Sequence, residues 1–86
     1  MTQRLIPARV SPPGRALKKE LAARGWTQKD LAGIIGRPAQ AISEIINGKK
    51  QITAETALQL AYALDTSAEF WLNLEVNYQL YQSRRA

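Results

Sequence analysis

The chain has 86 residues with 12 Lys and Arg against 7 Asp and Glu, a formal charge of +5, and neither Cys nor His. That length predicts one small domain, and the missing thiols and imidazoles exclude disulfides, zinc fingers and ribbons, thiol nucleophiles and imidazole acid–base catalysis. A domain this short buries only about 60 to 65% of its unfolded surface, so a dense aliphatic helical core, completed by dimerisation, is the expected source of its stability.

The charge is unevenly spread. Residues 1–52 hold ten basic and three acidic side chains, net +7, whereas residues 53–86 hold two basic and four acidic, net −2. A basic half of this kind points to a polyanionic partner, nucleic acid or an anionic membrane, although solvated Lys and Arg alone also produce it. No apolar run approaches the roughly 18 residues of a membrane span, and the opening MTQRLIPARVSPPGR carries no apolar signal core. A soluble cytoplasmic protein with no membrane partner is therefore expected.

With no internal repeat, the elements follow from punctuation and periodicity. The whole chain, 1–86, is expected to be a single domain: residues 1–12 form an arm broken by Pro7 and Pro12, residues 13–64 a helical core, and residues 66–82 a C-terminal helix. The arm's Leu5, Ile6 and Val10 suit a short extended segment that has nothing to pair with. The first helix is expected from Pro12 or Pro13 to Arg24, facing Ala16, Leu17, Leu21 and the stem of Arg24 inward, with Gly25 closing it. Thr27 is placed to cap the second, with Asp30 in its first turn, Leu31, Ala32, Ile34 and Ile35 as a buried face, and Gly36 at its end. Pro38 is expected to open the third helix as its first residue, with Ile42, Ile45 and Ile46 at i, i+3, i+4 and Asn47-Gly48 as the stop. Thr53 caps the fourth, whose apolar positions are Ala57, Leu58, Leu60, Ala61 and Leu64. Asp65-Thr66-Ser67 ends it, and Thr66 to Glu69 reads as a capping box that launches the fifth helix toward Tyr81.

The stretch from Thr27 to Asn47 carries the function. Ala32, Gly36, Ile42 and Ile45, at spacings of 4, 6 and 3, suit two helices crossing steeply through a short turn. Ala32 is small where the next helix passes over it, Gly36 supplies the left-handed turn, and the two isoleucines bury the underside of the third helix. Gln40, Ser43, Glu44 and Asn47 are then forced outward. Gln and Ser can hydrogen-bond base edges, and Asn47 can hold a phosphate. Any surface helix has a polar stripe; the flanking cations Arg37, Lys49 and Lys50, with Gln28 at the start of the second helix, turn this one into a candidate DNA face.

At 100° per residue the fifth helix places Phe70, Trp71, Leu74, Tyr78 and Tyr81 in one sector and Leu72, Val76 and Leu80 roughly opposite. The first stripe can close the domain's core. The second, Leu72, Val76 and Leu80, would be exposed in a monomer and is the expected dimer interface. No carboxylate pair, phosphate-binding Gly loop or metal-ligand cluster is legible, so neither catalysis nor a cofactor is expected.

The segment TQKDLAGIIGRPAQAISEIINGKKQITAETALQLAYALDTSAEFWLNLEVNYQL resembles the HigA (VapI-like) antitoxins, a branch of the XRE or Cro/CI helix-turn-helix regulators. The likeness runs from about Pro13 to Leu80, and the T-S-A-E-F-W-L-N-L segment with Asn77-Tyr78 beyond it separates this branch from generic repressors. The resemblance implies an all-α, five-helix, lambda-repressor-like helix-turn-helix domain with a C-terminal dimerisation helix. It further implies a dimeric repressor of an inverted-repeat operator that neutralises a RelE-like ribosome-dependent mRNA endonuclease toxin and represses their shared promoter. By the same resemblance Gln28 and Asn47 fall on phosphate-contacting positions and Pro38, Ala39, Gln40 and Ser43 on base-facing ones. Arg37-Pro38 stands where the family usually has an apolar residue followed by Ser or Thr, and Ala39 where a longer polar or basic residue is frequent. A basic toxin would be repelled by the DNA face, which directs it to Glu55, Asp65, Glu69 and Glu75 or to the arm. The alternatives are an XRE-type repressor with no toxin partner and a protein-binding module with incidental DNA affinity.

Overall fold

In the computed structural model, which describes residues 10–85, five helices follow one another: α1 (Pro13–Arg24), α2 (Gln28–Ile35), α3 (Ala39–Ile46), α4 (Ala54–Leu64) and α5 (Ala68–Arg85). No strand occurs among the described residues, and Leu5 and Ile6 lie outside them. Each helix start has a local cause. Pro13 occupies the first turn of α1, where a missing N–H costs nothing. Thr27 and Asp30 close a reciprocal capping box on α2, with the Asp30 amide donating to Thr27 Oγ1 at 3.1 Å and the Thr27 amide to Asp30 Oδ2 at 2.8 Å. Thr53 accepts from the Thr56 amide at 3.3 Å to begin α4.

Two caps differ from the sequence expectation. Pro38 is the residue before α3, not its first: its backbone is extended at ψ 146°, while its carbonyl already accepts from the Ala41 amide at 3.0 Å. The Thr66–Glu69 box does not form, because Thr66 Oγ1 is taken by the indole N–H of Trp71 at 2.8 Å. Ser67 caps α5 in its place, accepting from the Phe70 amide at 3.0 Å.

The core gathers one to three side chains from every helix, with Leu17, Leu31, Ile42, Leu60, Leu64 and Trp71 the largest that are fully buried. Ile34 and Leu58, expected inside, are 46% and 64% exposed. At 100° per residue, Ile34 falls outside the arc spanned by Leu31, Ala32 and Ile35, and Leu58 lies across the helix from Leu60 and Leu64. Arg24 ties α1 to α4, donating to the Leu64 carbonyl at 2.6 Å at the end of α4 and pairing with Glu20 at 2.5 Å.

The start of α1 rests on the end of α3 at Gly14, where an added Cβ would stand 2.5 Å from the Ile45 carbonyl oxygen and closer still to that of Ile46. Backbone atoms cannot yield as a side-chain tip can. Gly14→Ala is therefore expected to cost about 1–3 kcal/mol, against alanine's better helix propensity. The loss is read as a lower urea midpoint at unchanged slope.

On α5, Trp71 is fully buried and Phe70, expected in the same inward sector, is 41% exposed with its ring edge-on to the indole at a centroid separation of 4.9 Å. Glu75, expected on an acidic outer surface, is instead buried. Its carboxylate accepts from the Ile52 amide at 2.9 Å and from the Gln79 side chain at 2.9 Å. The physical reason is the orphan amide: Ile52 is buried at the end of the loop before α4, and a buried N–H without an acceptor is costly. Leu72 is partly buried against the domain's own core, so the outward stripe of α5 reduces to Val76, 52% exposed, and Leu80, 44% exposed. Among the described residues no helix is long and apolar enough to cross a membrane.

Candidate nucleic-acid interface

α2 and α3 are joined by a turn whose geometry is set by one glycine. Gly36 is left-handed at φ 73°, and both its amide and that of Arg37 donate to the Ala32 carbonyl, at 2.9 and 3.0 Å. A side chain at that φ would cost free energy, and the double hydrogen bond turns the chain into α3. Ala32, Ile42 and Ile45 are buried beneath the crossing, as their spacing predicts.

The opposite face of α3 meets solvent. Gln40 and Asn47 are exposed, and Ser43 and Glu44 are half-buried. In the free chain these groups partner one another along the helix: Gln40 donates to Glu44 at 3.4 Å, and Asn47 donates to Ser43 at 3.2 Å. Both pairs are exposed and weak, so either can be exchanged for a base or phosphate at little cost. Pro38 is exposed, whereas Ala39 is half-buried and packs against the core, which limits what it can offer a base.

The cations are arranged around this face. The amides of Lys49 and Lys50 both donate to the Glu44 carbonyl, at 2.8 and 3.2 Å, which fixes the loop beside the end of α3 and leaves both side chains exposed. Lys50 Nζ stands 4.0 Å from Glu44, a loose and exposed pair of little energetic weight. Arg37, expected as a flanking cation, is engaged elsewhere: its Nε donates to Gln59 at 2.5 Å and its guanidinium lies 3.6 Å from Glu55, both on α4.

Packing of α1 on α3 brings two further cations that the sequence did not single out. Arg15 and Lys18 line one hollow with Ile46 and Asn47, and Lys18 also lines a neighbouring hollow with Thr27 and Gln28. Gln28 itself is half-buried at the first residue of α2, where the free amides of a helix N-terminus favour an anion. Arg15, Lys18, Gln28, Asn47, Lys49 and Lys50 thus frame the polar stripe of α3. Their membership in the basic half was the only sequence signal for Arg15 and Lys18. Among the described residues no group of three His, Cys, Asp or Glu is placed to hold a metal ion.

A small helical domain that raises a polar helix on an apolar underside inside a rim of cations is a helix-turn-helix domain. The family model described as Helix-turn-helix matches residues 17–71. Antitoxin HigA-1 of Vibrio cholerae is 40% identical over 72 residues, covering 83% of this chain and 68% of that protein. A solved structure of the Pseudomonas aeruginosa antitoxin HigA with higBA promoter superposes at a TM-score of 0.83 with 32% identity, covering 87% of this chain and 83% of that one. Virulence-associated protein A′ of Dichelobacter nodosus is 39% identical over 71 residues, and the chain spans 62% of that protein's length. The chain belongs to the HigA (VapI-like) branch of the XRE helix-turn-helix family. This is a family of DNA-binding regulators, not enzymes.

Proposed function

We propose that this chain is a sequence-specific DNA-binding antitoxin of a type II toxin–antitoxin module. In this reading it acts in the cytoplasm as a homodimer joined along α5, represses its own promoter at an inverted-repeat operator and neutralises a RelE-like mRNA endonuclease toxin. The observation that carries the reading is the face of α3: Gln40, Ser43 and Asn47 stand outward above buried Ile42 and Ile45 and within reach of Lys49 and Lys50. The likeness to an antitoxin solved with promoter DNA supports it.

Roles follow from chemistry. Gln40 and Ser43 read base edges, with Pro38 and Ala39 packing at the groove; Gln28, Asn47, Lys49 and Lys50 hold phosphates; and Glu44 either accepts from a cytosine amino group or repels phosphate. Arg37 positions the entry to α3 through Gln59 and Glu55.

Binding to the chain's own promoter and to scrambled duplex over a salt series tests the assignment. Gln40→Ala is expected to weaken promoter binding by about 1–3 kcal/mol and leave scrambled DNA nearly unchanged. Lys49→Ala is expected to weaken both duplexes and lower the salt slope by about one. An equal loss on both duplexes for Gln40→Ala removes it from base readout.

A further inference from the structure

Ile34, Leu58 and Tyr62 are 46%, 64% and 85% exposed, and neither the core, the α3 face nor the α5 stripe uses them. They are not scattered: together with Ile35 and Gln59 they line one shallow hollow between α2 and α4. A contiguous patch of large apolar side chains on a small domain marks a binding surface, and tyrosine supplies contact area at low entropic cost.

The surroundings identify the partner's charge. Along α4 the exposed stripe runs from Glu55 through Leu58 and Tyr62 to the cap residue Asp65, with both carboxylates exposed. The cation at its edge, Arg37, is held back by Gln59 and by a loose 3.6 Å pair with Glu55, so this border carries two carboxylates, the more exposed groups, against one cation. Lys49, Lys50, Arg15 and Lys18 belong to the DNA rim. An apolar centre with an acidic border repels nucleic acid and attracts a cationic protein.

We infer that the α2–α4 face docks a basic protein, with Leu58 and Tyr62 as anchors and Glu55 and Asp65 as the charged rim. The inference rests on the antitoxin reading and gives the toxin its site on this chain, apart from the α3 face. A second copy of the chain fits less well, because a two-fold contact sets the patch on itself and brings each acidic border against the other.

The test uses the full chain and the purified product of the neighbouring reading frame, with binding followed by calorimetry at two salt concentrations. Leu58→Ser and Tyr62→Ser are each expected to weaken that complex by about 30-fold while leaving promoter affinity and helical content unchanged. Glu55→Gln combined with Asp65→Asn, which keeps a residue tolerant of the left-handed φ 55° at position 65, is expected to slow association about tenfold at low salt and little at high salt. If the native chain does not bind the neighbouring product, the toxin reading falls and this proposal with it. If it binds and the serine variants bind as tightly, the toxin reading stands and the surface is wrong. A lower mass of the free chain in the serine variants reassigns the face to contact between copies and overturns the proposal.

Discussion

Trp71→Ala is expected to lower stability by about 3–5 kcal/mol, the range for deleting a large buried aromatic. The indole is fully buried at the junction of α5 with the rest of the core, and its N–H is satisfied by Thr66 Oγ1 at 2.8 Å. The substitution removes the apolar contacts of the largest core side chain, leaves a cavity and frees the Thr66 hydroxyl. Native domains hold only about 5–15 kcal/mol in total, so a loss of this size takes much of it. For a domain of this length each kcal/mol moves Tm by roughly 4–8 °C, which predicts a fall of about 12–40 °C in a circular-dichroism melt. The comparison must be made at one protein concentration, since subunit pairing would make Tm depend on it. Trp71→Phe separates the two contributions. It restores much of the volume but no donor for Thr66, and a remaining deficit near 1 kcal/mol is expected for the lost hydrogen bond. A Trp71→Ala melt within a few degrees of the native one would show that α5 does not complete the core.

Val76→Glu with Leu80→Glu is expected to convert the chain to a monomer and abolish tight promoter binding while leaving helical content nearly intact. Both residues face solvent in the single chain, so charging them costs little there, yet in a paired helix it buries four carboxylates without partners. Promoter affinity falls because two α3 helices held about one DNA turn apart, roughly 34–36 Å, bind an inverted repeat as one unit. Light scattering reads the mass directly. An unchanged mass moves the interface elsewhere, and Leu72 cannot rescue the assignment, because it is partly committed to the core of its own chain.

The order of the helices and most of their bounds were legible because those boundaries are local events; the exceptions are Pro38, which precedes α3, and α5, expected over residues 66–82 and found over Ala68–Arg85. Pro13, Thr27, Gly25, Gly36 and Thr53 act through a fixed φ, a short side-chain oxygen or a left-handed backbone, and none of these depends on distant residues. Facing was harder to read. In the eight-residue α2, Leu31, Ala32, Ile34 and Ile35 lie within about 160° and read as one face, but packing against α3 and α4 buries Leu31 and Ala32 and leaves Ile34 at the edge of that face, half in solvent. The polar outer face of α3 was legible, because burying Ile42 and Ile45 leaves only one arrangement for Gln40, Ser43 and Asn47. Arg15 and Lys18 were not, since their approach to Asn47 depends on α1 meeting α3 at Gly14. Glu75 escaped for the same reason: the amide it satisfies belongs to a residue 23 positions away.

That carboxylate makes α5 and the cationic loop one mechanical part. Glu75 grips the amide of Ile52, just beyond Lys49 and Lys50, while its sequence neighbour Val76 points the other way, toward solvent. Sliding α5 by a single turn would strand a buried carboxylate and a buried amide together, a penalty of about 1–3 kcal/mol for each group. In a pair of chains clasped along α5, the spacing between the two lysine loops is then not adjustable independently of the clasp. In the homodimer proposed above, the two chains would form a rigid caliper whose jaws are the loops and whose joint is the helix pair, tolerating a change in operator half-site spacing only as far as that joint can shift.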